Sequence, residues 1–399
     1  MFKAFKNLGP ATLVAAAFVG PGTVTVCAAA GIGFGYGLLW ALLLSIVMTI
    51  LLQEMAARIG IVTQKGLADV IREQLQNPLL KTTVTGLILA AIVIGNAAYE
   101  AGNMNGAVLG LEAVFGDSGG AYHPFIVGGC AFSLLFFGNL KQIIRILIGL
   151  VVLMSLSFVV TAAMTGPPML GLLKGIFTPQ INNDNLLSVM ALVGTTVVPY
   201  NLFLHASLAK DNWHKKEDLK AAQLDTILAI GLGGMVSMAI VVSAASLSIE
   251  KLTSVLDLAA ALAPVYGDTA KYLIGIGLFG AGISSAVTAP LAAAYVANSC
   301  FNWQAGTKDW KFRLVWMLVM GVGLLSLSLS YTPLAVIQFA QVANGLLLPI
   351  LVGLLIWLCN SQQLLGSYKN SVFQNILYGI IFVFSLGLSI KTFIKLLGL

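Results

Sequence analysis

The sequence predicts an all-α integral membrane protein in which about eleven helices cross the bilayer and form one domain, residues 1–399. Hydrophobic residues make up 58% of the chain and charged residues only 9%, whereas soluble domains carry about 25% charged residues. Apolar runs of the roughly 20 residues that a membrane-spanning helix needs recur along the chain, with short polar segments between them. A water-soluble protein is therefore excluded.

The apolar runs are long and rich in small residues, which is typical of packed membrane helices. An outer-membrane barrel would instead show short segments of strict apolar–polar alternation. We expect spans at about 11–36, 37–58, 82–111, 124–140, 142–166, 186–209, 221–247, 270–299, 312–330, 333–358 and 372–396.

Two of these spans contain a proline near their centres. The first is interrupted at Gly20-Pro21-Gly22-Thr23 and the sixth at Val198-Pro199-Tyr200-Asn201. Proline has no amide proton and clashes with the preceding turn, so each break frees backbone groups that the membrane interior tolerates only against protein or a polar cavity. Breaks at corresponding places in two halves predict the substrate site of a secondary transporter, although prolines also cause simple kinks in packed helices.

Pro21 and Pro199 lie 178 positions apart, which assigns five helices to each half. Because five is odd, the second half must enter the membrane from the opposite side, as in the inverted repeats of leucine-transporter-type proteins. We expect repeat one at about 8–166, repeat two at about 186–358 and an extra helix at about 372–396.

The basic residues predict the orientation. With the N-terminus in the cytoplasm, 16 of the 21 lysine and arginine residues fall on the cytoplasmic side and 5 on the other, as the positive-inside rule requires. Only Lys391 and Lys395 fit poorly, which leaves the side of the C-terminus open. We expect a multi-pass protein of the cell inner membrane.

Other classes find less support. No phosphate-binding loop is present, so an ion or substrate gradient should supply the energy. The four cysteines are scattered singly, and we expect no cofactor and no enzyme activity. The expected partners are a small transported solute or cation, protons and the lipid bilayer, with no nucleic acid. A sensor built on a transporter scaffold stays open as an alternative.

Several segments then point to a family. They are Leu8-Gly9-Pro10 with Gly20-Pro21-Gly22, Leu51 to Arg58 with Gly60 to Thr63, Pro199 to Leu208, Gly277 to Val296, Gln341-Val342 and Leu348-Pro349. Together they resemble the Nramp family of proton-coupled divalent-metal transporters over nearly the whole chain. The resemblance implies a leucine-transporter-type fold and transport by alternating access.

The expected cargo site departs from the family pattern. In the family the first break reads Asp-Pro-Gly-Asn and the sixth-helix break reads Met-Pro-His. Here Gly20 and Thr23 replace the aspartate and asparagine, while Val198 and Tyr200 replace the methionine and histidine. The resemblance thus describes a divergent member that lacks the usual metal-binding residues.

Three further positions complete the expected substrate site. The resemblance places the family's backbone-carbonyl ligand near Thr195 and keeps its glutamine as Gln341, with Asn344 one turn further on. A site without a carboxylate or thioether favours a hydrated hard cation such as Mg²⁺ over Mn²⁺ or Fe²⁺. The metal itself is left undefined. Alternatively, the free amides at the Gly-Pro-Gly break suit the carboxylate of an amino acid or organic acid.

Two ionisable residues in the predicted spans are candidates for proton coupling, since charge inside a membrane is expensive. Glu100 matches a glutamate of the family's third helix and shares a helix face with Asn96 and Asn103. The family's aspartate three residues earlier is Ala97 here. His205 matches the second histidine of the sixth helix. Purely structural roles, as hydrogen-bonded core residues, are the alternative for both.

Overall fold

The computed structural model describes residues 19–116, 120, 122–137 and 141–398, and these residues form helices joined by turns and loops, with no strand among them. The helices are α1 Pro21–Phe34, α2 Leu39–Thr63, α3 Leu67–Gln74, α4 Pro78–Phe115, α5 His123–Phe137, α6 Lys141–Met164, α7 Met169–Phe177, α8 Leu186–Thr196, α9 Pro199–Asn212, α10 Leu219–Ala244, α11 Val255–Ala260, α12 Ala263–Tyr266, α13 Ala270–Phe301, α14 Trp310–Ser326, α15 Pro333–Cys359, α16 Gln362–Leu365 and α17 Val372–Leu396. The prediction of an all-α membrane protein is confirmed.

Within the described ranges, eight helical stretches are long and apolar enough to cross a membrane, counting α8 with α9 as one. The shorter α1 and α5 are apolar as well. The predicted first span, about 11–36, lies partly outside the described residues, as does the end of the predicted fourth span at 138–140. The third span is longer than predicted, because helix α4 runs from Pro78 to Phe115.

Local sequence explains where the long helices begin. The Asn77 side chain accepts hydrogen bonds from the amides of Leu79 and Leu80 at the start of α4, and Pro78 occupies the first helical position. Thr332 does the same for α15, accepting from the amide of Ala335 before Pro333. A side-chain cap followed by proline satisfies or removes amide donors that have no partner within the helix.

Helix α4 is the centre of the bundle and packs against α13, α14 and α15. Glycines permit the closest approaches: a Cβ at Gly282 of α13 would lie 2.7 Å from the Cβ of Ala107. Gly275 of α13 and Gly110 of α4 approach each other in the same way. Membrane helices associate through such small residues because lipid supplies no hydrophobic driving force between them. This close central packing fixes the position of α4 against α13.

Candidate cargo site at the helix breaks

The first break immediately precedes helix α1. Val19 and Gly20 are not helical, and Gly20 has extended backbone angles of φ −86° and ψ 176°. Pro21 takes the first helical position, and no side chain caps this end. The N-terminal positive end of the α1 dipole is therefore presented to the site.

The second break separates α8 from α9 and confirms the predicted interruption of the sixth span. Helix α8 ends at Thr196, Val197 leaves the helical region with ψ 81°, and Val198 has extended angles with ψ 122°. Pro199 begins α9 instead of lying inside the break, so the unwound part is displaced slightly toward the N-terminus. Val198 lies within the break itself and is buried.

The two breaks meet through a pair of threonines. The hydroxyl oxygens of Thr23 and Thr195 are 3.2 Å apart and buried, and they join the first turn of α1 to the last turn of α8. The last carbonyls of α8 have no partner within their helix, so Thr195 contributes both a hydroxyl and the carbonyl end of a helix dipole. The structure thus brings together two predicted residues that are 172 positions apart.

Helix α15 closes this site with Gln341. A Cβ added at Gly22 would overlap the side-chain amide of Gln341, and one added at Gly194 would overlap its backbone carbonyl. Both glycines are needed for this close approach. They are not among the predicted site residues, although each lies beside one of them in the sequence.

Helix α4 supplies a further wall. The ring of Tyr99 makes an edge-on contact with the ring of Tyr200, with centroids 5.6 Å apart, and both side chains are buried. One turn along α4, a Cβ at Gly102 would lie 3.9 Å from Nε2 of Gln341. The sequence gives no sign of Tyr99, because the polar residues of α4 mark the face of Asn96, Glu100 and Asn103 and not the face that meets the site.

Three polar atoms at the predicted site are buried and have no hydrogen-bond partner among the described residues: the Tyr200 hydroxyl, Oε1 of Gln341 and Nδ2 of Asn344. Asn344 lies toward α4, where a Cβ at Gly95 would be 3.9 Å from its Oδ1. Each unsatisfied buried polar group costs about 1–3 kcal/mol. Their concentration around the breaks indicates a place where a polar ligand binds.

The donor chemistry of the site is that of neutral oxygen. Thr23, Thr195 and Tyr200 offer hydroxyls, Gln341 offers an amide oxygen, and the breaks offer backbone carbonyls. In the described part of the chain, no three histidine, cysteine, aspartate or glutamate side chains lie close enough together to hold a metal ion. The arrangement therefore suits hard cations or polar solutes and offers nothing to soft metals.

Glu100 lies on a different face of α4 from Tyr99. Its Oε2 accepts a hydrogen bond from Nδ2 of Asn103 at 3.2 Å, and its Cγ would meet a Cβ added at Gly323 of α14. Asn96, on the same face, donates to the carbonyl of Ala289 of α13 at 2.9 Å. Glu100 is thus packed between α4, α13 and α14, with no described hydrogen bond to the cargo residues.

His205 lies on α9, beyond the break. It is buried, and its Nε2 is 3.4 Å from the hydroxyl of Thr226 on α10. Its Nδ1 has no partner among the described residues. This side chain could carry a proton between α9 and α10, but it makes no described contact with the threonine pair.

Two cavities flank the site. The polar cavity, of about 400 Å³, lies between α3, α9 and α13, and its lining includes Phe203, Ser207, Asp69, Tyr295 and Ser299. Phe203 is one turn past Tyr200.

The second, or apolar, cavity has a volume of about 690 Å³ and lies between α1, α8 and α15. Its lining includes Val26, Ala191 and Val342, each within about one helical turn of a site residue, and Glu250 and Lys251. Because the site residues themselves are buried, the cargo site is closed toward both cavities in this conformation.

Comparisons with known proteins agree with this geometry. A model of the family described as natural resistance-associated macrophage protein-like, or Nramp, matches residues 11–395. The chain is 28% identical over 382 residues to a protein named divalent metal cation transporter MntH from Verminephrobacter eiseniae (strain EF01-2), covering 92% of this chain and 83% of that protein.

Solved structures show the same fold. A mutant of the Eremococcus coleocola manganese transporter superposes with a TM-score of 0.77 at 18% identity, covering 96% of this chain and 85% of that one. MhsT in complex with L-phenylalanine superposes with a TM-score of 0.61 at 14% identity, covering 95% and 98%. The predicted leucine-transporter-type fold is confirmed. With its family model matched almost from end to end, this chain belongs to the Nramp family, whose members are membrane transporters and not enzymes.

Proposed function

We propose that this chain is a secondary transporter that moves a hard divalent cation such as Mg²⁺ across the membrane by alternating access. The cation would bind between the two helix breaks while keeping part of its water shell. One observation carries this proposal: the site joins α1, α8, α9 and α15 through neutral oxygen donors, and two of these, the Tyr200 hydroxyl and Oε1 of Gln341, are buried without a partner among the described residues.

The ligand chemistry favours Mg²⁺ over Mn²⁺ or Fe²⁺. Mg²⁺ prefers oxygen ligands and gives up water reluctantly, so it usually keeps several waters and needs few direct protein ligands. Mn²⁺ and Fe²⁺ gain more from nitrogen and sulfur donors, and Val198 and Tyr200 provide neither. The relatives are named for a divalent metal cation in the case of MntH and for manganese in the case of the Eremococcus transporter. These names support the class of cargo and not its identity.

Helix dipoles at the site act on a cation in opposite directions. The carbonyl end of α8 at Thr195 attracts a cation, whereas the amide ends of α1 and α9 repel one. The waters that the ion retains accept hydrogen bonds from those amides less readily than an anion would. The site should therefore bind Mg²⁺ weakly, and cargo would be released readily.

Proton coupling is part of the proposal. Glu100 and His205 are the buried ionisable groups on the two helices that meet at the Tyr99–Tyr200 contact, α4 and α9. Both have an atom with no hydrogen-bond partner in the described part of the chain. We assign proton coupling to this pair. The proposed location is a cell inner membrane, with the N-terminus in the cytoplasm.

Flux measurement tests the proposal. The protein is reconstituted into liposomes that contain a Mg²⁺-sensitive dye, and external Mg²⁺ or Mn²⁺ is added with and without a pH gradient. We expect saturable Mg²⁺ uptake that exceeds Mn²⁺ uptake and that Thr195→Ala reduces. Uptake of Mn²⁺ in preference to Mg²⁺, or no uptake of either, contradicts the proposed cargo.

A second candidate cargo is a small organic solute with a carboxylate. It is favoured by the uncapped N-termini of α1 and α9, which both begin at the breaks. MhsT, which shares the fold, was crystallised with L-phenylalanine. Uptake of a radiolabelled amino or organic acid by the same liposomes, without Mg²⁺ uptake, would establish this alternative.

A further inference from the structure

One face of helix α4 faces the cargo site along three turns. Gly95, Gly102 and Gly106 are spaced by seven and four residues, so they share a face. Their neighbours are Asn344 and Leu347 for Gly95, Ala340 and Gln341 for Gly102, and Pro21 for Gly106. Tyr99 is four residues after Gly95 and three before Gly102, and it lies on this same face.

The depth of Tyr99 follows from this register. Gly102 is level with Gln341, and Gly106 is level with the start of α1. Tyr99 is therefore about 4.5 Å further from α1 than Gly102 is, at 1.5 Å per residue. Its partner Tyr200 is the second residue of α9, and one turn later Phe203 lines the polar cavity. The two rings therefore lie between that cavity and the part of the site formed by Gln341 and the start of α1.

We infer that Tyr99 and Tyr200 form the barrier that separates the cargo site from the polar cavity, with Tyr99 positioning Tyr200. The pair joins α4 to α9 across the path, with ring centroids 5.6 Å apart at an interplanar angle of 67°, and each side chain is 1% exposed. The barrier controls transport only if cargo binds at the breaks, so its part in transport rests on the proposed function.

The strength of the contact suits a gate. An edge-on aromatic pair is worth about 0.5–1.5 kcal/mol beyond the area that it buries. A contact of this size shifts the balance toward the closed path by at most about tenfold, so a modest change in the populations of the conformations can open it. Movement of α9 away from α4 would separate the rings and connect the site to Ser207 and Asp69 in the polar cavity.

Thiol labelling tests the barrier without any cargo. The background is Cys130→Ser, since Cys130 is exposed whereas Cys27, Cys300 and Cys359 are buried. Thr23→Cys reports on the cargo site, and Ser207→Cys reports on the polar cavity. Labelling rates are measured with a small, positively charged methanethiosulfonate reagent on purified protein, and the background alone is subtracted.

Truncation of the ring should open the path. We expect Tyr99→Ala to raise the labelling rate of Thr23→Cys by up to about tenfold, which corresponds to the upper end of the energy of such a ring contact. The labelling rate of Ser207→Cys should not change. Tyr99→Phe keeps the ring and should label like the parent. Tyr378→Ala removes an equally buried tyrosine from α17, outside the path, and should also label like the parent.

The inference is overturned if Tyr99→Ala is folded and Thr23→Cys reacts no faster than in the parent, or if Tyr378→Ala speeds it equally. Where Tyr99→Ala does not fold, Tyr99→Leu replaces it under the same expectations. Because labelling requires no cation, a barrier confirmed here together with absent Mg²⁺ flux would reject the proposed cargo and keep the gate. Mg²⁺ flux together with unchanged labelling would reject the gate and keep the proposed cargo.

Discussion

Under the proposed function, the residues at four positions of the helix breaks determine which cations this member of the Nramp family can hold. Gly20, Thr23, Val198 and Tyr200 stand where the family pattern has a carboxylate, an amide, a thioether and an imidazole. A divalent ion stripped of water needs such ligands. The remaining donors are neutral oxygens, so selectivity should shift toward an ion that keeps its water.

Restoring the family residues should restore soft-metal binding. We predict that the combined variant Gly20→Asp, Thr23→Asn and Val198→Met binds Mn²⁺ at least about 100-fold more tightly than the unaltered chain does, since a carboxylate and a thioether each contribute ligand bonds that favour this ion. Calorimetric titration measures the change. If Mn²⁺ affinity does not rise although the variant is folded, the breaks are not where cations bind.

Gln341 should contribute directly to cargo binding. Its Oε1 is buried without a partner among the described residues, and its amide lies against Gly22. We predict that Gln341→Ala weakens Mg²⁺ uptake by about tenfold, the equivalent of one lost hydrogen bond or ion contact of about 1.5 kcal/mol. The control is Gln363→Ala, an exposed glutamine outside the helical core. Equal uptake by both variants would exclude Gln341 from the site.

Much of the site at this scale follows from the sequence, but its walls do not. Thr23, Thr195 and Gln341 lie together at the breaks, where the prolines and the family resemblance place them. Tyr99 escapes prediction because the polar residues of α4, Asn96, Glu100 and Asn103, mark a different face of the helix. The neighbours of Glu100 depend on how α4 is rotated, and its Cγ lies against Gly323 of α14.

At the scale of the helices, the site depends on backbone contact at glycines. Helices α1, α8 and α15 approach so closely that Gly22 and Gly194 have no room for a methyl group. Interior residues of membrane helices gain stability from such contacts through dispersion and close packing. The glycines therefore hold the two breaks and Gln341 together.

A methyl group at Gly194 should disrupt this contact. It would overlap the backbone carbonyl of Gln341, so we predict that Gly194→Ala destabilises the protein by about 1–3 kcal/mol, the usual cost of overpacking. Gly231→Ala on α10 is the matched control, because nothing lies within 4 Å of a Cβ there. Thermal unfolding in detergent should show a lower midpoint for Gly194→Ala alone, and equal midpoints would contradict the close approach.

Prolines predict the breaks only in part. Pro290 and Pro349 lie inside α13 and α15, which continue through them, whereas Pro199 begins a new helix after two non-helical valines. A proline removes one hydrogen bond in each case, so the residue alone does not decide between a kink and a break. The neighbouring backbone, held here by the contact between Gly194 and Gln341, makes the difference.

At the scale of the whole molecule, charge predicts orientation and composition predicts a membrane protein. Lipid-facing surfaces agree with this: α17 exposes Val372, Phe373, Ile380 and Val383. The number of spans follows less directly from sequence, because hydropathy does not distinguish a span from a long buried helix. The ends of helices also depend on caps such as Asn77, which extends α4 beyond the predicted span.

Orientation can be measured by labelling from one side. The loop between α13 and α14, which contains Gly306, belongs to the predicted cytoplasmic side, and Lys251 belongs to the opposite side. In the Cys130→Ser background, we predict that a membrane-impermeant maleimide labels Gly306→Cys in inside-out vesicles and Lys251→Cys in right-side-out cells, since basic loops stay in the cytoplasm. The opposite pattern would invert the assignment.

Calorimetric titration of the purified, unaltered protein tests the central claim that a neutral oxygen site selects a hard cation. Mg²⁺, Mn²⁺ and a set of amino and organic acids are each titrated at two pH values. We predict measurable heat of binding for Mg²⁺, weaker binding for Mn²⁺ and no binding of the carboxylates. The claim would be contradicted if Mn²⁺ bound more tightly than Mg²⁺. It would also be contradicted if a carboxylate gave heat of binding and neither metal did.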